Sequence, residues 1–354
     1  MSRHQSDAIV ATDDLASIRL VEARHSPGPS EVLVRVERLA LTANTVTYAQ
    51  HGQTLGYDRF WPGAPAGWRI VPAWGTATVI DSRVDSLAEG ARLFGFWPMS
   101  SHAVLRPKRI GLRGFVDATP HRADLPAAYN QYRFETGEVD ERLRMLLEPL
   151  YLTSFLIDDA LAEADFAGAR LLLLSSASSK TALALAHALA QRPARPHILG
   201  LTSPRNVAFC EATGLYDSVL TYAGADGLSP EPAAYVDFAG DRLLRARIHC
   251  RFGEALRLSL AVGDTHRGEP SGGTPLPGPR PSFFFAPARL AQRHGDWGAE
   301  TLAARIDAGW RAFAGAAPGW LRIVEDPGGE ALLRRWREAV DGGVPPDKGV
   351  IVTL

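Results

Sequence analysis

The sequence contains few cysteines and no long apolar run. Cys210 and Cys250 are the only cysteines among 354 residues, which excludes a disulfide scaffold and any zinc or iron–sulfur site built from several cysteines. No apolar stretch is long enough to span a bilayer, and residues 1–14 lack the apolar segment of an export signal. We therefore expect a cytoplasmic protein.

Charge imbalance is also absent, because 38 Lys and Arg face 39 Asp and Glu. The net charge of −1 gives no electrostatic reason to expect nucleic acid or an anionic membrane as a partner. A hydrophobic content of 46% with 22% charged residues is typical of a globular protein. The length favours two domains, and we expect a small molecule as the substrate.

Residues 169–206 carry the most informative pattern. Leu171–Leu174 is an apolar run suited to a strand buried on both faces. Residues 181–190 are rich in Ala and Leu, which favour a helix, and a second apolar run follows at 197–201. Strand, small-residue turn, helix and strand form the first half of a dinucleotide-binding unit.

The turn before the helix would hold a pyrophosphate, because a helix N-terminus carries unpaired N–H groups and the positive end of the helix dipole. Glycines usually line such a turn, but this turn has none. Ser176, Ser179 and Ala182 occupy the glycine positions. A serine-rich connection that binds no ligand is therefore the alternative. The cofactor contacts predicted in the turn are Ser176, Ala177, Ser178, Ser179, Lys180 and Thr181.

The residues after the second strand include no acid. An NAD-binding fold places Asp or Glu there for the ribose 2′-hydroxyl, whereas this chain has Ser203 and Arg205. A guanidinium can pair with a 2′-phosphate through two hydrogen bonds, which favours NADP(H). The alternative is an arginine at a solvated helix start, with Ser203 or Asn206 as its N-cap. The remaining predicted cofactor contacts lie at strand ends: Thr202, Ser203, Arg205, Asn206, Tyr222, Phe238, Ala239, Gly240, Val262, Gly263 and Thr265.

The rest of the chain shows two patterns. Residues 1–113 contain alternating segments, such as 31–37, which predict the antiparallel strands of a small barrel. After residue 206, apolar runs continue to alternate with helical segments. Together with the runs at 171–174 and 197–201 they make six strands, which predict a doubly wound parallel sheet. The three phenylalanines at 283–285 require burial, which suggests a subunit interface. We expect the polar residues 115–147 to form a loop or short helices that act as a lid.

These segments together resemble the medium-chain dehydrogenase/reductase superfamily, on its zinc-free, quinone-oxidoreductase-like side. The sequences that carry the resemblance are EVLVRVERLALTANTVTYA at 31–49, WGTATVI at 74–80, SSASSKTALALA at 175–186 and GLTSPRN at 200–206. They are most similar to an uncharacterised bacterial branch. The resemblance implies a GroES-like β-barrel catalytic domain at 1–147, a Rossmann-like nucleotide-binding domain at 148–286, a return to the catalytic domain at 287–354, and a homodimer.

Zinc enzymes of this superfamily hold their metal with an early Cys and a later His–Glu pair. Residues 41–49 contain no Cys, so we expect no metal. Hydride transfer then needs a hydroxyl or amide that donates to the oxygen gaining charge. The resemblance places Tyr48 and Asn44, the first choices, in the substrate-facing loop, and Tyr129, Asn130 and Tyr132 are second choices on the expected lid. Each tyrosine could instead be a packing residue.

The predicted function is therefore zinc-independent, NADPH-dependent reduction of a small carbonyl, enone or quinone compound. The missing glycines leave an alternative open. The chain could be a non-redox enzyme of the lyase or hydratase type, or a nucleotide-binding module, on the same fold.

Overall fold

The computed structural model describes residues 5–137, 140–262 and 275–354, and the chain divides into two compact units. Unit 1 comprises residues 1–146 and 322–354, and unit 2 comprises residues 147–321. The chain returns to unit 1 at residue 322, later than the boundary at 287 suggested by the sequence. The reason is that the helical residues 286–316 pack against other helices of unit 2.

Eighteen strands lie in the part of the chain that the structure describes. They are β1 (Ser6–Ala11), β2 (Ile18–Glu22), β3 (Val32–Leu41), β4 (Trp68–Ile70), β5 (Pro72–Ser82), β6 (Arg92–Pro98), β7 (His102–Leu105), β8 (Pro107–Gly111), β9 (Gly114–Asp117), β10 (Gln131–Phe134), β11 (Leu171–Leu174), β12 (His197–Thr202), β13 (Ser218–Thr221), β14 (Ala233–Asp237), β15 (Leu256–Ala261), β16 (Ser282–Phe283), β17 (Arg322–Pro327) and β18 (Lys348–Thr353).

The same residues form eight α-helices. They are α1 (Ala43–Gln50), α2 (Glu141–Glu163), α3 (Lys180–Ala190), α4 (Val207–Ala212), α5 (Arg242–Phe252), α6 (Ala286–Trp297), α7 (Ala299–Ala316) and α8 (Gly329–Val340). None of them, within the described ranges, has both the length and the apolar character needed to cross a membrane.

Unit 1 contains a nine-stranded and a three-stranded sheet. The larger has the order β17-β18-β3-β5-β6-β10-β9-β8, with β7 also paired to β3, and the smaller has the order β2-β1-β4. Val32, Val34 and Val36 of β3 are fully buried, whereas Arg35 between them is only half-buried. This alternation agrees with the antiparallel strand predicted there.

The lid prediction for residues 115–147 is wrong where strands form. β9 and β10 pair with each other, and β10 also pairs with β6, so both strands belong to the large sheet. Phe115 and Tyr132 point into the core, with 3% and 0% exposure. The connection between the two strands consists of turns and short 3-10 helices, as expected, and α2 begins at Glu141.

Unit 2 contains a six-stranded sheet with the order β13-β12-β11-β14-β15-β16. Every pairing in it is parallel, and this order is that of a dinucleotide-binding fold built from two halves. Leu171–Leu174 forms the central strand β11 and is buried on both faces. The predicted doubly wound parallel sheet is confirmed.

The sixth strand, β16, is shorter than expected. It comprises two residues, and the phenylalanine run is not deeply buried in the single chain. Phe283 and Phe285 are 40% and 43% exposed, and their rings stack with centroids 6.4 Å apart.

Candidate functional site

The turn between β11 and α3 places a serine in a backbone conformation that glycine favours. Ser176 has φ = 50°, in the left-handed region that few residues other than glycine enter. Ser179 is the N-cap of α3, and its Oγ accepts a hydrogen bond from the N–H of Ala182 at 3.2 Å. The serines thus form the turn that glycines usually form before such a helix.

Ala177 fixes the turn against the neighbouring strand. It is fully buried; its N–H donates to the carbonyl of Leu201 at 3.0 Å, and its carbonyl accepts from the hydroxyl of Tyr216 at 2.6 Å. A Cβ at Gly200 of β12 would lie 2.9 Å from the Cβ of Ala177. Gly200 is therefore the glycine that this turn needs, and it lies on the adjacent strand.

Several donors of the turn face its half-exposed side. The N–H groups of Ser178 and Thr181 have no acceptor among the described residues, and both residues are half-buried. The first N–H groups of a helix are unpaired and lie at the positive end of its dipole. The Ser178 hydroxyl accepts hydrogen bonds from Asn206 Nδ2 at 2.9 Å and Thr202 Oγ1 at 3.4 Å. These groups fit an anionic ligand at the start of α3.

The segment after β12 presents an exposed arginine. Arg205 lies in a short 3-10 helix (Pro204–Asn206), is exposed, and forms no ion pair with any residue that the structure describes. Ser203 and Asn206 occupy N-cap positions, but neither side chain makes a capping hydrogen bond. The N-cap positions of the two residues and the exposure of Arg205 match the alternative of an arginine at a solvated helix start, whereas the side-chain capping bonds are not formed.

The carboxyl end of β14 is organised by a buried acid that the sequence analysis did not single out. Asp237 has no exposed surface. Its Oδ1 accepts from Ser175 Oγ at 2.8 Å and from the N–H groups of Ala239 and Gly240 at 3.1 Å, and its Oδ2 pairs with Arg245 at 2.8 Å. This network holds the loop that contains Phe238, Ala239 and Gly240.

The other strand ends complete this region in part. Tyr222 follows β13; burial raises the pKa of its hydroxyl, and hydrogen bonds from Ser176 act in the opposite direction. The N–H of Val262 donates to the carbonyl of Asp237 at 2.9 Å. Gly263 and Thr265 lie outside the described residues.

In unit 1, residues that we placed in a loop form the helix α1. Asn44 and Tyr48 therefore lie one turn apart on the same face, and Asn44 Nδ2 donates to the Tyr48 oxygen at 2.9 Å. Trp74 Nε1, from β5, donates to the same oxygen at 3.1 Å. A phenolic oxygen can accept two hydrogen bonds and donate one. Both acceptor positions of Tyr48 are thus filled, and the hydroxyl of Tyr129 is a further hydrogen-bond partner of the Tyr48 hydroxyl.

Aromatic rings surround this hydroxyl. The ring of Tyr48 lies 4.6 Å from Tyr57 and 5.0 Å from Phe96, and Phe96 lies 4.7 Å from Tyr129, between centroids. The hydroxyls of Tyr57 and Tyr129 are 3.1 Å apart. Burial raises the pKa values of Tyr48, Tyr57 and Tyr129, so all three hydroxyls stay protonated at neutral pH. We use the name tyrosine cluster for a group of six residues: Tyr48, Tyr57, Phe96, Tyr129, Asn44 and Trp74.

Two of the candidates on the expected lid, Tyr132 and Asn130, make no hydrogen bond to any side chain of the tyrosine cluster. Tyr132 is fully buried; its hydroxyl donates to the carbonyl of Phe96 at 3.0 Å and accepts from Arg122 Nη1 at 3.1 Å. Asn130 Nδ2 donates to the carbonyl of Arg122 at 3.1 Å. The structure thus brings Asn44, Tyr48 and Tyr129 together, whereas the side chains of Tyr132 and Asn130 both bond Arg122.

Sequence reasoning missed Tyr57, and it noted Trp74 only as the first residue of the segment WGTATVI at 74–80. No signal in the sequence links either residue to Tyr48, and only the fold brings them together. Metal ligands were not expected, and in residues 5–137, 140–262 and 275–354 no three His, Cys, Asp or Glu side chains are grouped so that they could hold a metal ion.

The fold is similar to that of several solved structures over 98% or more of the chain. They include CurA in complex with NADPH from Vibrio vulnificus, with 10% identity, a TM-score of 0.62 and 98% of each chain covered. Another is the quinone oxidoreductase from Coxiella burnetii, with 12% identity, a TM-score of 0.58, and 99% of this chain and 100% of that chain covered. A third is a thermostable alcohol dehydrogenase from Pyrobaculum aerophilum, with 14% identity, a TM-score of 0.55, and the same coverage.

These similarities show the fold, and they confirm the predicted Rossmann-like sheet with a GroES-like barrel. Residues 39–345 match the family described as "Protein of unknown function (DUF2855)", and the chain belongs to that family. No curated protein matches the sequence.

Proposed function

We propose that this protein is a zinc-independent, NADPH-dependent reductase that transfers hydride to a small carbonyl, enone or quinone compound. The observation that carries the proposal is the hydroxyl of Tyr48. Asn44 and Trp74 fill both of its acceptor positions, so it is held as a hydrogen-bond donor. NADPH in the CurA structure and the quinone oxidoreductase from Coxiella burnetii support the choice of cofactor and substrate class.

In this proposal, unit 2 binds NADP(H). The N–H groups of Ser178 and Thr181 and the hydroxyls of Ser178 and Ser179 receive the pyrophosphate at the start of α3. The guanidinium of Arg205 pairs with the 2′-phosphate. The other proposed contacts in the described part of the chain are Ser176, Lys180, Thr202, Ser203, Asn206, Tyr222, Phe238, Ala239, Gly240 and Val262, while Ala177 supports the turn from inside. NADPH, when bound, supplies the hydride.

The tyrosine cluster would act on the substrate oxygen. When a carbonyl is reduced, its oxygen gains negative charge, and a fixed donor stabilises that charge more in the transition state than in the ground state. Hydrogen bonds accepted from Asn44 and Trp74 polarise the O–H of Tyr48 and strengthen it as a donor. Tyr129 presents a second hydroxyl beside it, and the surrounding rings limit the access of water.

We extend the proposal to unit 1 as the catalytic domain, and to a homodimer in the cytoplasm. The exposed fractions of Phe283 and Phe285, at the edge of the unit 2 sheet, support the dimer.

A second candidate function is supported by the serines of the turn. Ser176, Ser179 and Ala182 add side-chain atoms where glycines let a pyrophosphate approach the backbone. This substitution favours a non-redox enzyme of the lyase or hydratase type, or a nucleotide-binding module, on the same fold.

Calorimetric titration of the full chain with NADPH and NADH at fixed salt tests these alternatives. We expect NADPH to bind more tightly than NADH, and NADPH to be oxidised in the presence of members of an enone, quinone and aldehyde panel. Binding without oxidation by any of them would favour the second candidate. If neither nucleotide binds, the reductase proposal is wrong.

A further inference from the structure

Asn206 stands at the N-cap position of α4 without capping that helix. Asparagine is among the favoured N-cap residues because its side chain accepts from first-turn N–H groups, yet no such bond is present. Its Nδ2 instead donates to Ser178 Oγ at 2.9 Å, across 28 residues of sequence. The side chain thus leaves its own helix to contact the turn before α3.

This contact fixes the direction in which Ser178 can donate. The Ser178 oxygen also accepts from Thr202 Oγ1 at 3.4 Å, and a hydroxyl oxygen accepts at most two hydrogen bonds while donating one. Its proton must therefore point away from Asn206 and Thr202. Ser178 is half-buried, and its own N–H lacks an acceptor among the residues the structure covers, so hydroxyl and N–H are both available to one ligand.

We propose that Asn206 is a positioning residue for NADP(H): it holds the Ser178 hydroxyl as a donor to the pyrophosphate and joins it to the segment that carries Arg205. This inference rests on the proposed function, because its ligand is NADP(H). Ser178 lies between two of the glycine positions, Ser176 and Ser179, in a turn without glycine, and its hydroxyl then has a role in binding. It supplies a hydrogen bond in place of the closer backbone approach.

A double-mutant cycle tests the inference through binding alone, without a known substrate. NADPH is titrated calorimetrically into the wild type, Ser178→Ala, Asn206→Ala and the double variant. Ser178→Ala should raise the Kd for NADPH about tenfold. A hydrogen bond to a charged group contributes enough binding free energy to change the Kd by about that factor. Asn206→Ala should weaken it less, and the double variant should bind no more weakly than Ser178→Ala.

Ser218→Ala is the matched control. Its hydroxyl bonds His197 Nε2 at 2.7 Å. Ser218 and His197 are the first residues of β13 and β12, so they lie at the amino ends of the strands, whereas the turn lies at their carboxyl ends. This variant should bind NADPH like the wild type and combine additively with Asn206→Ala. Ser178→Thr, which keeps the hydroxyl, should retain most of the affinity. If Asn206→Ala does not fold, as judged by its thermal transition, Asn206→Leu, which is similar in size and carries neither donor nor charge, replaces it in the cycle.

The outcomes separate the two proposals. Additive losses in the double variant, or unchanged affinity in Asn206→Ala, would overturn the role of Asn206 while NADPH binding by the wild type upholds the cofactor assignment. Absence of NADPH binding by the wild type would overturn both together.

Discussion

Replacement of Arg205 should change the choice between NADPH and NADH. The side chain is exposed and has no carboxylate partner within the described ranges, so no ion pair has to break before it meets a 2′-phosphate. A charge-assisted hydrogen bond contributes about 1.5–3 kcal/mol, and solvent exposure favours the lower end. Arg205→Gln should therefore raise the Kd for NADPH roughly tenfold. Arg205→Glu adds repulsion of about 1 kcal/mol between charges near 4 Å in water.

The assay is calorimetric titration of each variant with NADPH and with NADH at low and at high salt. The Kd for NADH should stay the same, and the NADPH preference of the wild type should shrink as salt screens the contact. Arg170→Gln is the matched control, because Arg170 is exposed and pairs with Glu231 at the amino end of β11. Equal losses for both nucleotides, or no loss for either, would refute the assignment of Arg205.

Three further predictions concern single sites. Tyr48→Phe should lower turnover with an enone or quinone by about 10²-fold or more and leave the Kd for NADPH unchanged, because it removes only a proton donor; unchanged turnover would exclude Tyr48 as that donor. Gly200→Ala should lower the free energy of unfolding, measured by urea denaturation, by about 1–3 kcal/mol, because the new Cβ clashes with Ala177. Adding Ala177→Gly should restore part of the lost stability in the same assay. Asp237→Ala should cost about 3–5 kcal/mol in the same assay, because it removes a buried carboxylate that pairs with Arg245 and accepts three hydrogen bonds; a cost below 1 kcal/mol would contradict this role.

The parallel sheet of unit 2 could be predicted because its signals are local. Leu171–Leu174 is short, wholly apolar and followed by small residues, and such a pattern needs no distant contact to be recognised. The same holds for Ser203 and Arg205, whose place after β12 follows from the strand–helix alternation. The contact between Asn206 and Ser178 could not be predicted, since nothing in the sequence says that an N-cap residue will turn to another segment.

The tyrosine cluster depends on tertiary structure. Residues Ala43–Gln50 include Thr45, Val46 and Thr47, which are β-branched and weak helix formers, so a loop was the natural prediction and packing decides for a helix. Tyr57 and Tyr129 come from separate connections 72 residues apart. Likewise, the strands β9 and β10 have four residues each, too few for periodicity to mark them within a polar segment.

The position of β18 has a consequence for the order in which the chain folds. This strand lies between β17 and β3 in the large sheet of unit 1, and Val350, Ile351 and Val352 are almost fully buried. Unit 2 is continuous in sequence, whereas unit 1 needs a strand that is synthesised after all of unit 2. Domains generally fold as units during synthesis. We therefore expect proteolysis of stalled nascent chains to find unit 2 protected first, with the earlier-made half of the barrel sensitive until residues 348–353 emerge.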